Sequence, residues 1–226
     1  MKILGFDASG KTAACAVCEN DTVIAKSFTE STLTHSQTLL PLIDSTLTAA
    51  DLDINDIDAF AFTAGPGSFT GLRIGAATVM GLAGDKPCYA VSTLEAIAYN
   101  FLSESAVVIP CLDARRNQVY TAAFRVCDNT VTRLTDDCAM AVNDVCELIA
   151  KEFANDKVII AGDGCYLFEQ QPLLQNVQIA TGEQRFAQGQ GIVNAALKTQ
   201  PLCAEQIKLN YLRLSQAERE LKEKQK

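Results

Sequence analysis

Histidine occurs once in these 226 residues, at His35. Triads built on several histidines and two-histidine metal sites are therefore excluded. No G-x-S-x-G nucleophile motif accompanies it, so His35 reads as a polar residue at a helix start rather than as a general base. Basic residues are also short: 19 Lys and Arg against 27 Asp and Glu leave a net charge of −8. Unaided nucleic-acid binding needs a basic surface that displaces counterions from phosphates, so any role on RNA requires a basic partner. Long apolar runs are missing as well. No stretch reaches the roughly 18 consecutive apolar residues of a membrane span, and the residues between Lys2 and Asp7 are too few for a signal-peptide core. The expectation is a cytoplasmic protein that does not engage a membrane.

Nine cysteines are scattered at odd spacings, which gives no disulfide framework and leaves them as small thiols in a reducing compartment. The one C-x-x-C, Cys15 to Cys18, lies in an alternating apolar run. In a strand those side chains point to opposite faces and cannot share a metal.

What remains is an ordinary globular composition, 48% apolar and 20% charged. Residues Lys2 to Phe6, Thr12 to Cys18 and Thr22 to Phe28 read as an antiparallel meander with a turn at Asn20-Asp21. Thr34 to Ala50 reads as an amphipathic helix with Leu39, Leu40, Ile43 and Leu47 on one face and Pro41 near its first turns or at a kink. Ala59 to Thr63 is a strand, Gly65-Pro66-Gly67 a tight loop, Phe69 to Leu82 a helix rich in small residues, and Cys88 to Val91 a strand. Ser92-Thr93-Leu94-Glu95 looks like a capping box for a helix to about Leu102.

The pattern then begins again. Val107 to Leu112 ends in Asp113 as Ile3 to Phe6 ends in Asp7; Val119 to Val126, the Asp128-Asn129 turn and a strand from Thr130 complete a second meander. A helix from Asn143 to Phe153, a strand from Val158 to Ala161 and a Gly162-Asp163-Gly164 loop follow, with a polar, helical tail from Ser215 to Lys226. We read an internal duplication of two βββαβα lobes, residues 1–103 and 104–226, the last helix being free to return to the first lobe. This is the pattern of the α/β ribonuclease-H-like, actin-like superfold, in which each Asp turn faces a central nucleotide cleft; fold analogy alone does not give function.

Gly5-Phe6-Asp7-Ala8-Ser9-Gly10-Lys11-Thr12 satisfies the Walker A pattern, whose amides and lysine cradle phosphate. That pattern needs a helix after the lysine, and the apolar run from Thr12 to Cys18 ends within two residues at a turn, which makes a poor helix. The competing readings are an Asp-x-Gly-Thr-like hairpin approaching phosphate or Mg²⁺ and a plain polar hairpin. The candidate nucleotide- or phosphate-binding residues are Asp7, Ser9, Gly10, Lys11, Thr12 and, at the second turn, Asp113. A P-loop NTPase using Gly5 to Thr12 and an actin-fold small-molecule kinase are the alternatives to a binding role.

The block from Ala64 to Gly75 makes a sharp strand-to-helix turn that Ser68 or Thr70 can cap. Glycines at 71, 75 and 81 each cost about 1 kcal/mol of helix propensity. They imply close approach by another backbone, equally the chain's own sheet or a partner helix. Arg73, on an otherwise small and uncharged surface, is either a solvated charge or the anchor of a cross-interface ion pair or phosphate.

The Asp7-Ala8-Ser9 start, His35-Ser36 leading to Leu39-Leu40-Pro41, the Gly65 to Gly75 block, Val91-Ser92-Thr93-Leu94, Asp113-Ala114-Arg115 and Tyr211-Leu212-Arg213 together resemble the bacterial TsaB (YeaZ) family. The resemblance implies a two-lobed actin-like fold and a non-catalytic dimerisation subunit for making threonylcarbamoyladenosine at tRNA position 37. In such systems TsaD transfers the threonylcarbamoyl group and the ATPase TsaE joins the complex. It further implies a heterodimer with TsaD, a homodimer in isolation, and tRNA reached only through the complex. The docking face would be the first two long helices. It places Thr34, His35, Thr38, Leu39 and Ile43 on one helix, and Phe69, Thr70, Leu72, Arg73, Gly75 and Ala76 on the other. No catalytic residue, metal or cofactor is required, although ATP or ADP with Mg²⁺ could sit at the joint with the partner. Lys11 departs from the family pattern and leaves room for residual phosphate binding at the Asp7 turn.

Overall fold

Alternation of apolar side chains drives the first sheet. In β1 (Lys2–Asp7) Leu4 and Phe6 point to one face while Ile3 points to the other, and all three are fully buried. In the computed structural model, which describes residues 1–20, 22–173 and 175–213, this strand sits at the centre of a sheet covered on both sides. Asp21 of the expected first turn and the expected helix from Ser215 to Lys226 lie outside the described residues.

β2 (Thr12–Glu19) and β3 (Thr22–Glu30) continue antiparallel from β1, while β4 (Ala59–Gly65) and β5 (Cys88–Ser92) add on in parallel, giving the order β3-β2-β1-β4-β5. Because Thr12 to Glu19 is a strand paired with β1, no helix follows Lys11. The P-loop alternative is therefore overturned: the turn amides of a Walker A loop must open a helix, and these open a hairpin. Cys15 and Cys18 face opposite cores, as strand periodicity requires.

α1 (His35–Ala49) and α2 (Phe69–Ala83) cover one face of this sheet. Leu39, Ile43 and Leu47, one turn apart, pack with Val79 onto Phe60 and Phe62. Each such burial contributes about 1.5–3 kcal/mol. Leu40 was expected on the same face, yet it is 51% exposed, because it lies about 100° round the helix from the stripe that Leu39 begins.

The second half repeats the order with breaks. β6 (Ala106–Asp113) is flanked on one side by β11 (Val158–Ala161) and β12 (Val177–Ile179), both parallel. On the other side the expected single strand from Val119 to Val126 is split into β7 (Gln118–Thr121) and β8 (Phe124–Cys127). Its return strand is likewise split, into β9 (Thr130–Arg133) and β10 (Cys138–Ala141). The break falls at Ala123, whose N–H donates to the Thr135 hydroxyl and whose carbonyl accepts from Leu134 and Thr135, so its backbone is satisfied off the ladder. α4 (Val142–Glu152) covers the outer face of this sheet with Val142, Val145 and Ile149.

Between the sheets lie α3 (Thr93–Ala98) and α5 (Gly189–Ala196), and one apolar cluster runs from Ile3 and Ala61 of the first sheet through Ile97 and Ile192 to Val108 and Ile159 of the second. α5 comes from the second half of the chain but rests on β1 and β2. A Cβ on Gly189 would fall 2.3 Å from the Ala16 nitrogen, so only glycine permits this approach. Ser92 caps α3 through the Glu95 N–H at 3.4 Å, and the Glu95 carboxylate pairs with Arg133 of the second lobe at 3.1 Å.

The glycines of α2 divide by contact. A Cβ at Gly71 would lie 1.9 Å from the Ala8 carbonyl oxygen, whereas at Gly75 it would meet Phe62 at an ordinary 3.8 Å. Gly71→Ala is therefore expected to destabilise by about 1–3 kcal/mol through overpacking. Gly75→Ala should be neutral or stabilise by up to about 1 kcal/mol through helix propensity. Urea midpoints of the two variants check the contrast, and equal effects would contradict the packing described.

Candidate functional site

Three carboxylates gather where the lobes meet. Asp7 ends β1, Asp113 ends β6, and Asp163 follows β11 in the loop that corresponds to Gly65-Pro66-Gly67 of the first half. Asp7 is 2% exposed and accepts from the Ser9 N–H at 3.0 Å and from the Thr63 hydroxyl of β4. Burial pushes its carboxyl above the ordinary value of 3.8, while the Ser9 and Thr63 hydrogen bonds and His35 oppose that rise. Asp163 accepts from the Asp113 N–H at 2.9 Å and faces Gly10 of the opposite hairpin. Burial raises its pKa too; the Asp113 N–H and Lys11 pull it down, and the charges of Asp113 and Asp7 push it up. Asp113 in turn accepts from the Arg115 N–H at 2.7 Å and from the Tyr166 hydroxyl at 3.1 Å.

The structure thus brings the two sequence-predicted Asp turns into one mouth and adds Asp163, which sequence reasoning had left as a loop residue. Its signal was the repeat: a Gly-x-Gly after the fourth strand of each half. Ser9 and Thr12 are buried, Gly10 is half-buried, and Lys11 is exposed. Acid outnumbers base here, so phosphate would be repelled unless a cation accompanied it. Among the described residues, no three His, Cys, Asp or Glu side chains are grouped to hold a metal ion. His35, half-buried at the start of α1, donates from Nε2 to the Gly10 carbonyl at 2.8 Å, and its Nδ1 is buried without a partner among the described residues. Burial pushes the Cys15 and Cys111 thiols up to about 12, so neither is a nucleophile.

The glycine block belongs to this turn. The Ser68 N–H donates to the Ser9 carbonyl at 2.6 Å, Gly67 lies against Ser9, and Gly71 lies against Ala8. Close approach by the chain's own hairpin, one of the two readings left open by sequence, accounts for Gly67 and Gly71. Gly81 and Gly84 remain exposed with open space around them.

Of the residues expected on a docking face, Leu39, Ile43, Leu72, Gly75 and Ala76 are buried beneath α1 and α2. They are corrected to core, because the apolar stripe of each helix is used up on the sheet. Thr34, Thr70 and Arg73 are exposed, and Thr38 and Phe69 are half-buried. Large apolar side chains left outside this layer include Leu33, Leu40 and Met80, at 58%, 51% and 50% exposure; sequence reasoning puts Leu40 in the buried stripe and does not single out Leu33 or Met80. Arg73 stacks 4.0 Å over the Phe69 ring, which stacks at 4.4 Å on Tyr211. Apart from both regions, a polar cavity of about 460 Å³ opens beside the start of α5, lined by Lys26, Asn100, Glu183, Gln188 and Asn194 among others.

The family model described as TsaD, tRNA N6-adenosine threonylcarbamoyltransferase, matches residues 23–211. The tRNA threonylcarbamoyladenosine biosynthesis protein TsaB of Bacillus subtilis (strain 168) is 30% identical over 233 aligned residues, covering 100% of both chains. TsaB of Escherichia coli (strain K12) is 35% identical over 136 residues, 58% of each chain. A solved structure from Pseudomonas aeruginosa, described as an uncharacterized protein with similarity to peptidase YEAZ, superposes with a TM-score of 0.80 at 25% identity. It covers 94% of this chain and 99% of its own.

Burial of Asp7 has a pH signature. Its folded-state pKa is raised, so the folded chain holds the proton more tightly than the unfolded one. That stability is fully present below the ordinary carboxylate pKa and is lost as pH rises through the raised value. Asp7→Asn keeps an acceptor for the Ser9 N–H and should flatten this decline, so that its urea midpoint gains on the wild type as pH rises above the ordinary carboxylate value of 3.8. A wild-type midpoint that climbs relative to the variant over that range would contradict the assignment.

Proposed function

Because the chain belongs to the TsaB (YeaZ) family and has that family's role in tRNA threonylcarbamoyladenosine biosynthesis, we propose that it serves as a non-catalytic subunit that docks on and activates a TsaD-type transferase. The observation that carries this reading is the outer surface of α1 and α2. After both helices have spent their apolar stripes on the sheet, Leu40 of α1, Met80 of α2 and Leu33, just before α1, remain exposed, as does Arg73 of α2. Exposed apolar side chains and an arginine on one helical layer fit the composition of a protein interface. The face is the one assigned from sequence, with its contact residues moved one helical step outward.

The non-catalytic part is supported by chemistry at the lobe junction. His35 spends its proton on a backbone carbonyl, and Asp7 is sealed within the fold. A phosphate or its cation would have to reach, within a group of three acids, a carboxylate that the fold has buried. A TsaE-type ATPase would join the same assembly. The net charge of −8 agrees with tRNA being reached through the partners rather than held directly. In isolation the same face would pair two copies of the chain. ATP or ADP with Mg²⁺, if used, would sit at the joint, where the partner can supply the missing ligands.

Reconstitution tests the reading. With a TsaD-type transferase, a TsaE-type ATPase and tRNA, omission of this chain should abolish or strongly reduce modification of the adenosine. Undiminished modification would remove the functional claim. The surface is tested separately by Leu40→Asp with Met80→Asp, which should weaken association in calorimetry by at least about tenfold while circular dichroism stays unchanged. Unaltered affinity in that pair would rule out this face.

A further inference from the structure

The segment after α5 crosses the whole molecule. Leu202 pairs with Cys88 through hydrogen bonds of 2.8 and 2.9 Å and so continues the first sheet past its β5 edge. Ile207 and Leu209 then pack against the apolar layer beneath α1 and α2. The Asn210 N–H donates to the Ala64 carbonyl at 2.7 Å, and the Asn210 carbonyl oxygen lies where a Cβ on Gly65, at φ +118°, would have to sit. Asn210 Nδ2 donates to Asp137 of the second half at 3.2 Å. Three residues on, Arg213 donates to the Ala114 carbonyl at 2.8 Å and to the Gln118 side chain, with its guanidinium 5.7 Å from the Tyr120 ring centroid. Five residues, 209–213, are therefore anchored to both lobes.

Between the two anchors stands Tyr211. Its ring stacks on Phe69, at the first turn of α2, and its hydroxyl accepts from Arg73 Nε at 3.3 Å. Arg73 is thus held on one face by a ring and at Nε by a hydroxyl, which leaves its two terminal nitrogens pointing away as a fork. Among the described residues no carboxylate pairs with it. A guanidinium fixed in this way has lost its rotamer entropy before binding, and its free edge matches a carboxylate.

We propose that residues 209–213 form a strap through which the second lobe sets the docking surface, with Tyr211 positioning Arg73 to receive an acidic side chain of the TsaD-type partner. The inference rests on the docking reading given above. A carboxylate is favoured over a phosphate because Arg73 is the only Lys or Arg on α1 and α2, and one guanidinium fork matches one carboxylate. Tyr211 acts through Arg73, and Arg213 acts through Tyr211.

Calorimetry of the full-length chain with the purified TsaD-type partner tests it. Arg73→Ala and Tyr211→Ala should each weaken binding about tenfold, and the double variant by little more than either single one, since both remove the same ion pair. Tyr211→Phe keeps the stack on Phe69 but removes the hydroxyl that holds Nε, so its loss of affinity should fall between wild type and Tyr211→Ala; binding equal to wild type would show that the hydroxyl does not position Arg73. Arg213→Ala should weaken binding and speed hydrogen exchange in the first turn of α2 around Phe69; this arm stands even if Tyr211→Ala fails to fold. The strap is overturned if Tyr211→Ala and Arg213→Ala bind like wild type while Leu40→Asp with Met80→Asp does not, or if the losses at 73 and 211 simply add. If Leu40→Asp with Met80→Asp also binds like wild type, the docking reading itself has failed.

Discussion

The contact on which most of this molecule depends is the one between the start of α2 and the turn after β1. Gly71 lies so near the Ala8 carbonyl that no side chain fits between them, and Ser68 and Gly67 close on Ser9 beside it. This fixes the rotation of α2. Leu72, Gly75, Ala76 and Val79 turn inward and Arg73 and Met80 turn outward. It also fixes the turn itself, with Asp7 locked against Thr63 of β4. A single close approach thus decides both which helix face solvent sees and how far the Asp7 carboxylate is removed from it.

The lobes are joined as firmly as each is folded. One apolar cluster passes from the first sheet through α3 and α5 into the second, so separating the lobes would expose a core rather than open a hinge. Arg133 reinforces the joint: it pairs with Glu95 of the first lobe and with Asp137, which also accepts from Ser92. Asp7, Asp113 and Asp163, each hydrogen-bonded, lie where the lobes meet. Fixed lobes also hold the outer surface of α1 and α2 in one shape, and a rigid surface carries a lower ordering cost in any association.

Much of this was legible in order. The alternation of Ile3 against Leu4 and Phe6, the two Asp turns and the repeated meander give the strand sequence and the duplication, because strand periodicity and turn chemistry are local properties. The Walker-like string misleads for a local reason as well. The motif records residue types, and whether Thr12 to Glu19 is helix or strand depends on the neighbouring β1 and β3 that take its hydrogen bonds. The two helices α1 and α2 were legible, but Leu39, Ile43, Leu72 and Ala76, expected on their outer side, lie on the buried one. A helix shows one apolar stripe in sequence, and the stripe is the buried side; Leu40 reads as part of that stripe although it lies about 100° away, and the exposed Met80 carries no periodic signal of its own. Asp163 escaped notice because its importance comes from Asp113 and Lys11, fifty and more positions away in the chain.

The sequence by itself determined the elements, their doubling and the family, since these follow from residue spacing and from motifs carried within short stretches. Only the tertiary structure decided which face of α1 and α2 meets solvent, that the acidic turns of the two halves share one mouth, and that Tyr211 reaches Phe69 and Arg73 from the far end of the chain. The reason is physical: exposure, desolvation and stacking are properties of distances between residues, and the chain fixes those distances only when both lobes have closed on their common core.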